Sequence, residues 1–118
     1  MSIESINKIP YRDKKLLITK VCLMFKKIKN AHNIYETKFK HSNNLSDSMR
    51  KQNLLNIKTM SIFETILSLL RRDYVQILEK DFIEVDPNPH WYLQHWSKTT
   101  YYKLKHEAID QFLFMLYA

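Results

Sequence analysis

Ser97-Lys98-Thr99-Thr100-Tyr101-Tyr102-Lys103-Leu104-Lys105-His106-Glu107-Ala108 is the stretch whose reading decides the fold. Ser97 supplies a side-chain oxygen suited to cap a helix start, where it accepts a bond from a backbone N–H that has no partner inside the helix. A helix is therefore expected from Lys98. Tyr101, Leu104, Ala108, Phe112 and Met115 then recur at spacings of three and four and form one apolar stripe. Thr99, Tyr102, Lys103 and His106 point away from that stripe. Such a set is hydrogen-bonding and cationic, which suits a helix lying in a DNA major groove, where Lys meets guanine acceptors or phosphate and Thr meets base edges. A solvated outer face of an amphipathic helix has the same composition, so this helix alone does not decide between the two.

The residues before it bear on that choice. Asn88-Pro89-His90-Trp91-Tyr92-Leu93-Gln94 reads as a short helix, with Asn88 as cap and Pro89 at the first position, where its missing N–H has no consequence. It ends about three residues before the next helix. Two helices joined so tightly, the second with polar residues at its exposed start, make a helix-turn-helix over 88–117.

Tyr74-Val75-Gln76-Ile77-Leu78-Glu79-Lys80-Asp81-Phe82, a gap, then Ser97-x-x-Thr100-Tyr101-Tyr102-Lys103-Leu104-Lys105 with Ala108 and an apolar tail resembles the C-terminal half of the ArpU family of phage-type transcriptional regulators. That half is similar to the promoter-reading helix-turn-helix of sigma factors. The pattern covers about 45 residues, most specifically the presumed recognition helix, and the N-terminal half matches only in length and helical character. The resemblance implies sequence-specific binding of double-stranded DNA at a promoter, of the kind that controls late genes of a prophage or mobile element. Two positions depart from the family: His95 stands where glycine is usual in the turn, and Gln94 where an apolar residue is usual.

Upstream, Leu54, Leu55 and Ile57 are expected in the core of a segment that turns helical at about Met49. Ser61-Ile62-Phe63-Glu64 has the form of a capping box, which predicts a helix start there, with Ile62, Ile66, Leu69 and Leu70 buried. Arg71 and Arg72 would close that helix against the negative end of its dipole, or clamp a DNA phosphate. Asp73 then caps a further helix whose Val75, Ile77, Leu78 and Phe82 face inward. Glu79, Asp81, Glu84 and Asp86 form an acidic cluster, read as a solvated loop or as a surface for RNA polymerase rather than as acid–base machinery, which needs a fixed geometry and a pocket.

The N-terminal third begins with residues 1–10, read as frayed up to Pro10. From Tyr11 to about Lys40, Leu17, Val21, Met24, Ile28, Ala31 and Tyr35 recur every three or four residues in a short heptad seam. Leu16, Leu23 and Phe25 widen that apolar surface, which motivates a dimer as well as packing within the chain. His41-Ser42-Asn43-Asn44-Leu45-Ser46-Asp47-Ser48 breaks the pattern and reads as a linker. The division expected is an N-terminal helix and linker over 1–45, for packing or dimerisation, and a helical domain over 46–118. His32-Asn33 and His41 with Asn43 share residue types with His/Asn nucleases but lack the strand hairpin and metal spacing of such a site.

Composition sets the outer bounds. The chain has 118 residues, 45% hydrophobic, with no glycine, which argues against primed hairpin turns, phosphate loops and dinucleotide fingerprints and leaves an all-α fold. Lys and Arg number 19 against 12 Asp and Glu, and this surplus favours a polyanion. Cys22 is the single cysteine, so it reads as a buried inert thiol. No run approaches the roughly 20 apolar residues of a membrane span and the start lacks a signal-peptide pattern, so a cytoplasmic protein of a bacterial host is expected. Trp91 reads as a core plug; Trp96 fits either the core or a base-stacking role.

The function expected is a dimeric regulator that binds double-stranded DNA, neither an enzyme nor dependent on a cofactor or metal. Its contacts would be Lys98, Thr99, Tyr102, Lys103 and His106, with Arg71, Arg72 and Lys105 as weaker phosphate contacts. The rival is a small helical adaptor or inhibitor whose same helix meets protein.

Overall fold

After Pro10 the backbone turns helical and stays so for seven turns, and this helix organises the rest. In the computed structural model, which describes residues 2–42 and 45–118, the elements are α1 (Ile3–Asn7), α2 (Tyr11–Ile34), α3 (Asp47–Leu69), α4 (Arg72–Leu78) and α5 (Lys98–Tyr117). Wide π turns extend α2 over Tyr35–Phe39 and α4 over Glu79–Ile83, and a single 3-10 turn, Trp91–Gln94, precedes α5. The fold is all-α, with no strand among the described residues. Asn43 and Asn44 of the expected linker lie outside the described residues.

Residues 2–10, expected to be frayed, are ordered. Ser2 caps α1 by accepting a bond from the Ser5 amide at 3.1 Å, and α1 packs on α5 with Ile6 fully buried. In α2 the buried stripe is Lys14, Ile18, Val21, Cys22 and Phe25. The predicted seam is thus displaced: Val21 holds its place, but Met24 and Ala31 are exposed. Two seven-residue registers share Val21 and Ile28, and the bulk of Phe25 selects between them by stacking on Phe63, centroids 4.0 Å apart and planes within 6°. Lys14 is buried among these residues because its ammonium reaches Asp110 of α5 at 2.6 Å.

α3 corrects the sequence reading more sharply. It begins at a cap on Ser46, which accepts from the Met49 amide at 3.2 Å, and runs without interruption through Ser61. The capping-box pattern at Ser61 therefore starts nothing, because a cap needs following amides without partners and here the carbonyls of the preceding helical residues already accept from them. The buried side is Asn53, Asn56, Phe63 and Ile66, continued by Leu70 past the helix end. Leu54, Leu55, Ile57, Ile62 and Leu69, all expected inside, are exposed. Phe63 decides this: it stands between Phe25 and Phe112 of α5, and the helical period then turns 53, 56 and 60 the same way.

α2 and α3 lie antiparallel, with Phe25 against Phe63 near the base and His32 against Asn53 farther out. The main core cluster draws on Ile6 through Phe25 and on Phe63 through Leu113, and Leu45, Asn53 and Asn56, buried among the described residues between 26 and 59, stand outside it. That outer hairpin projects from the base of a molecule measuring 55 × 33 × 23 Å. The arm expected over 1–45 is accordingly shared between two helices, and the core runs across the 45/46 division. No helix among the described residues is long and apolar enough to cross a membrane.

Candidate nucleic-acid interface

Ser97 caps α5 as its residue type predicts, accepting from the Thr100 amide at 3.3 Å with extended backbone, so α5 starts at Lys98. The stripe Tyr101, Leu104, Ala108 and Phe112 is buried and Met115 half-buried. Thr99, Tyr102, Lys103 and His106 are exposed on the opposite side, and Lys98 is exposed at the first position, one turn before Tyr101.

The first two turns of α5 are held by an aromatic and carboxylate junction. The rings of Tyr92 and Tyr101 stack 3.7 Å apart within 1°, and Trp91 meets Tyr92, Trp96 and Tyr101 edge-on at about 6 Å. Trp91 is buried, as expected, and Trp96 is half-buried against it. Asp81, within the π turn after α4, receives three donors: the Trp91 indole N–H at 2.9 Å, the Tyr101 hydroxyl, and the Lys105 ammonium at 3.2 Å. The π turn makes this geometry, because it separates the buried pair Ile77–Leu78 from Phe82–Ile83 by five residues instead of the usual three or four. Burial and the bond to Asp81 push the Tyr101 hydroxyl pKa well up, so it stays protonated and donating.

This arrangement removes one of the predicted contacts, Lys105, and gives two others, His106 and Arg71, partners within the chain while leaving them exposed. Lys105 is buried, paired with Asp81 and lodged over the Phe82 and Tyr101 rings, so it is not presented to a phosphate. The ring of His106 stacks on Tyr11 of α2, centroids 3.8 Å apart and planes within 4°, and burial with the nearby Lys14 lowers its pKa. His106 nevertheless remains exposed beside this stack. Arg71 does not close α3; it is the residue from which α4 starts, and its guanidinium bonds Asp73 at 2.7 Å and the Tyr74 hydroxyl at 3.1 Å while lying over the Tyr74 ring. Arg72 is exposed in the first turn of α4. Since the Tyr74 hydroxyl bonds Glu107 at 2.8 Å and Asp81 meets Tyr101, α4 lies antiparallel to α5. The two arginines therefore sit about 9 Å farther along α5 than Tyr101, on the 1.5 Å rise per residue.

The helix-turn-helix expectation is met only in part. The connection His95-Trp96-Ser97 has the predicted length, but the first element is one 3-10 turn, and the helix supporting α5 is α4. Asn88 accepts from the His90 amide at 3.0 Å and so shapes the entry to that turn rather than capping an α-helix. His95 has right-handed backbone, φ −116° and ψ −38°, so the turn requires no glycine, and Gln94 is exposed where a polar residue is at home. The acidic cluster does not form one surface: Asp81 faces inward and Asp86 bonds the Asn88 amide at 2.8 Å, leaving Glu79 and Glu84 outside.

Sequence reasoning passed over Asp81 as the tie among π turn, 3-10 turn and α5. The signal was faint, a single acid one turn past Ile77 on an otherwise apolar face. Comparison of the chain with known protein families, with curated proteins and with solved structures finds no match.

Proposed function

We propose that the protein is a sequence-specific regulator of transcription that binds double-stranded DNA with the start of α5, in a prophage or mobile element of a bacterium. The observation that carries this reading is the first two turns of α5, where Lys98, Thr99, Tyr102 and Lys103 stand exposed on a helix whose other side is anchored by the Asp81 junction. A reading helix has to be rigid and yet open to base edges, and these turns are both. The resemblance of this segment to the ArpU family points the same way. In this reading the protein acts as a homodimer on two half-sites, in the bacterial cytoplasm, without catalysis or cofactor, and Glu79 and Glu84 are its surface for RNA polymerase.

Selection of bound duplexes from a random pool, followed by mobility shifts with the recovered sequence, tests the reading. A recovered consensus whose binding Lys103→Ala weakens by the equivalent of about 1–3 kcal/mol while unrelated duplexes are unaffected is the expected result. A folded protein that enriches no sequence removes it.

A second reading, a helical adaptor or inhibitor that meets protein, has its own observation: Leu55, Ile62 and Leu69 lie exposed at seven-residue intervals along α3. Such a ridge is what a partner helix covers. Loss of a copurifying or dimeric partner on Ile62→Lys, with DNA selection negative, would favour it.

A further inference from the structure

The positive charge of this protein is concentrated in one element, and it is not the one that carries the reading residues. Between Lys8 and Lys40 the chain has ten Lys and Arg against two acids, Asp13 and Glu36, a net +8; the remainder has nine against ten, a net −1. The whole surplus of +7 therefore resides on α2 and its flanks. Lys14 is spent internally on Asp110, and Lys40 pairs with Glu36 at 3.0 Å. Arg12, Lys15, Lys20, Lys26, Lys27 and Lys29 are exposed.

These side chains divide between two flanks of α2. By the 3.6-residue period, Lys15, Lys26 and Lys29 follow Tyr11 along one flank, while Lys20 and Lys27 follow the other, with Arg12 between them near the start. The first flank faces the α5 side, because Tyr11 is the residue that stacks on His106. The second faces outward, roughly opposite the buried stripe of Lys14, Ile18, Val21, Cys22 and Phe25. His106 lies one turn past Tyr102 and Lys103 on α5, so the Tyr11 flank continues the surface on which the reading residues stand. From Lys15 to Lys29 it extends about 21 Å, more than half the roughly 34 Å of one duplex turn.

We infer that this flank of α2, with Lys15, Lys26 and Lys29 and with Arg12 beside its start, is a phosphate-contacting surface that holds duplex DNA irrespective of sequence while the start of α5 reads it. The inference rests on the DNA reading above and adds to it the site of the electrostatic binding energy. The flank carries Thr19 and Asn33 between its cations; of the exposed leucines, Leu16 borders its start beside Arg12 and Lys15, and Leu23 lies about a quarter-turn away on the outward ridge. A surface for anionic lipid would place apolar residues among the cations for insertion, so this pattern favours a polyanion in water.

The test uses the full chain, with a fluorescent duplex of the selected sequence and one of scrambled sequence, titrated from about 50 to 200 mM salt. Each phosphate neutralised contributes close to −0.9 to the slope of log K against log salt. The variant K15Q/K26Q/K29Q is expected to lose about two to three from that slope on both duplexes and to keep the ratio between them; K20Q/K27Q on the other flank is expected to lose less than about one. All five positions are exposed, and circular dichroism verifies that both variants remain helical. A triple variant with an unchanged slope, or a control that loses as much, overturns the inference and leaves the DNA reading standing. A wild-type chain that binds neither duplex removes the DNA reading itself. Vesicles of phosphatidylglycerol and phosphatidylcholine that bind the wild type as tightly as the scrambled duplex, with the same loss in the triple variant, also overturn it in favour of a lipid surface.

Discussion

Asp81 shows how one side chain can set the position of two elements. Its carboxylate joins the indole of the 3-10 turn to the hydroxyl and ammonium of α5, and both it and Lys105 are nearly buried. Removing one partner of such a pair leaves a charge without compensation, so Asp81→Ala should cost about 3 kcal/mol or more in urea unfolding. An effect below about 1 kcal/mol would mean that the aromatic stack alone holds α5. His106 gives a prediction in pH. Its folded pKa is lowered by burial and by Lys14, so between that value and the unfolded value of about 6.5 the unfolded chain binds more protons. The stability His106 contributes is complete above the unfolded value and declines as pH falls through the folded one. Wild type should therefore lose stability as pH falls below about 6.5 relative to His106→Phe, which keeps the stack and cannot titrate. An NMR titration of His106 with its midpoint above the ordinary histidine value would contradict this. Cys22, by contrast, is held by burial at a pKa of about 12, where the thiolate is scarce, consistent with a packing role.

At the scale of the element, the outer half of the α2–α3 hairpin is built differently from the base. Its inward positions on α3 are Asn53 and Asn56, and they are satisfied locally: Asn53 meets His32 Nδ1 at 2.9 Å, and Asn56 accepts from Gln52 at 3.0 Å. Polar pairing of this kind fixes which residues face each other but contributes little net energy, because each bond replaces one to water. Asn53→Ala leaves His32 without its partner and should destabilise by about 1–3 kcal/mol, whereas replacing His32 and Asn53 together by Leu should fall within about 1 kcal/mol of wild type. Thermal unfolding of His32→Leu, Asn53→Leu and the variant carrying both measures the coupling. Additive losses would show that the hydrogen bond carries no weight in the hairpin.

For the molecule as a whole, the decisive feature is that α1 and α2 complete the core that α3, α4 and α5 begin. Ile6, Ile18, Val21, Cys22 and Phe25 belong to one cluster with Phe63, Ile77, Phe112 and Leu113. A fragment of 46–118 would expose that cluster on one side, and it should show no cooperative thermal transition and little dispersion of its amide resonances. A cooperatively folding fragment would restore the N-terminal segment to the status of an accessory arm. Because the same α2 also carries the charge surplus, the body of the protein and its electrostatic surface cannot be separated by truncation, only by neutralising exposed side chains.

The all-α class, the extent of α2, the start of α5 at Ser97 and the apolar stripe from Tyr101 to Phe112 were legible from the chain alone. Each rests on local chemistry: the absence of glycine, a capping oxygen, and apolar residues repeating at the helical period. The facing of α2 and α3 was not legible, because both contain more apolar residues than one stripe can bury, so two registers satisfy the period equally well. Only packing chose between them, through the Phe25–Phe63–Phe112 stack, and in doing so it turned Leu55, Ile62 and Leu69 outward and Asn53 inward. The site divides the same way. Exposure of Thr99, Tyr102, Lys103 and His106 followed from periodicity, whereas the withdrawal of Lys105 and the stacking of the His106 ring required partners distant in sequence, Asp81 and Tyr11, which no local pattern brings into view.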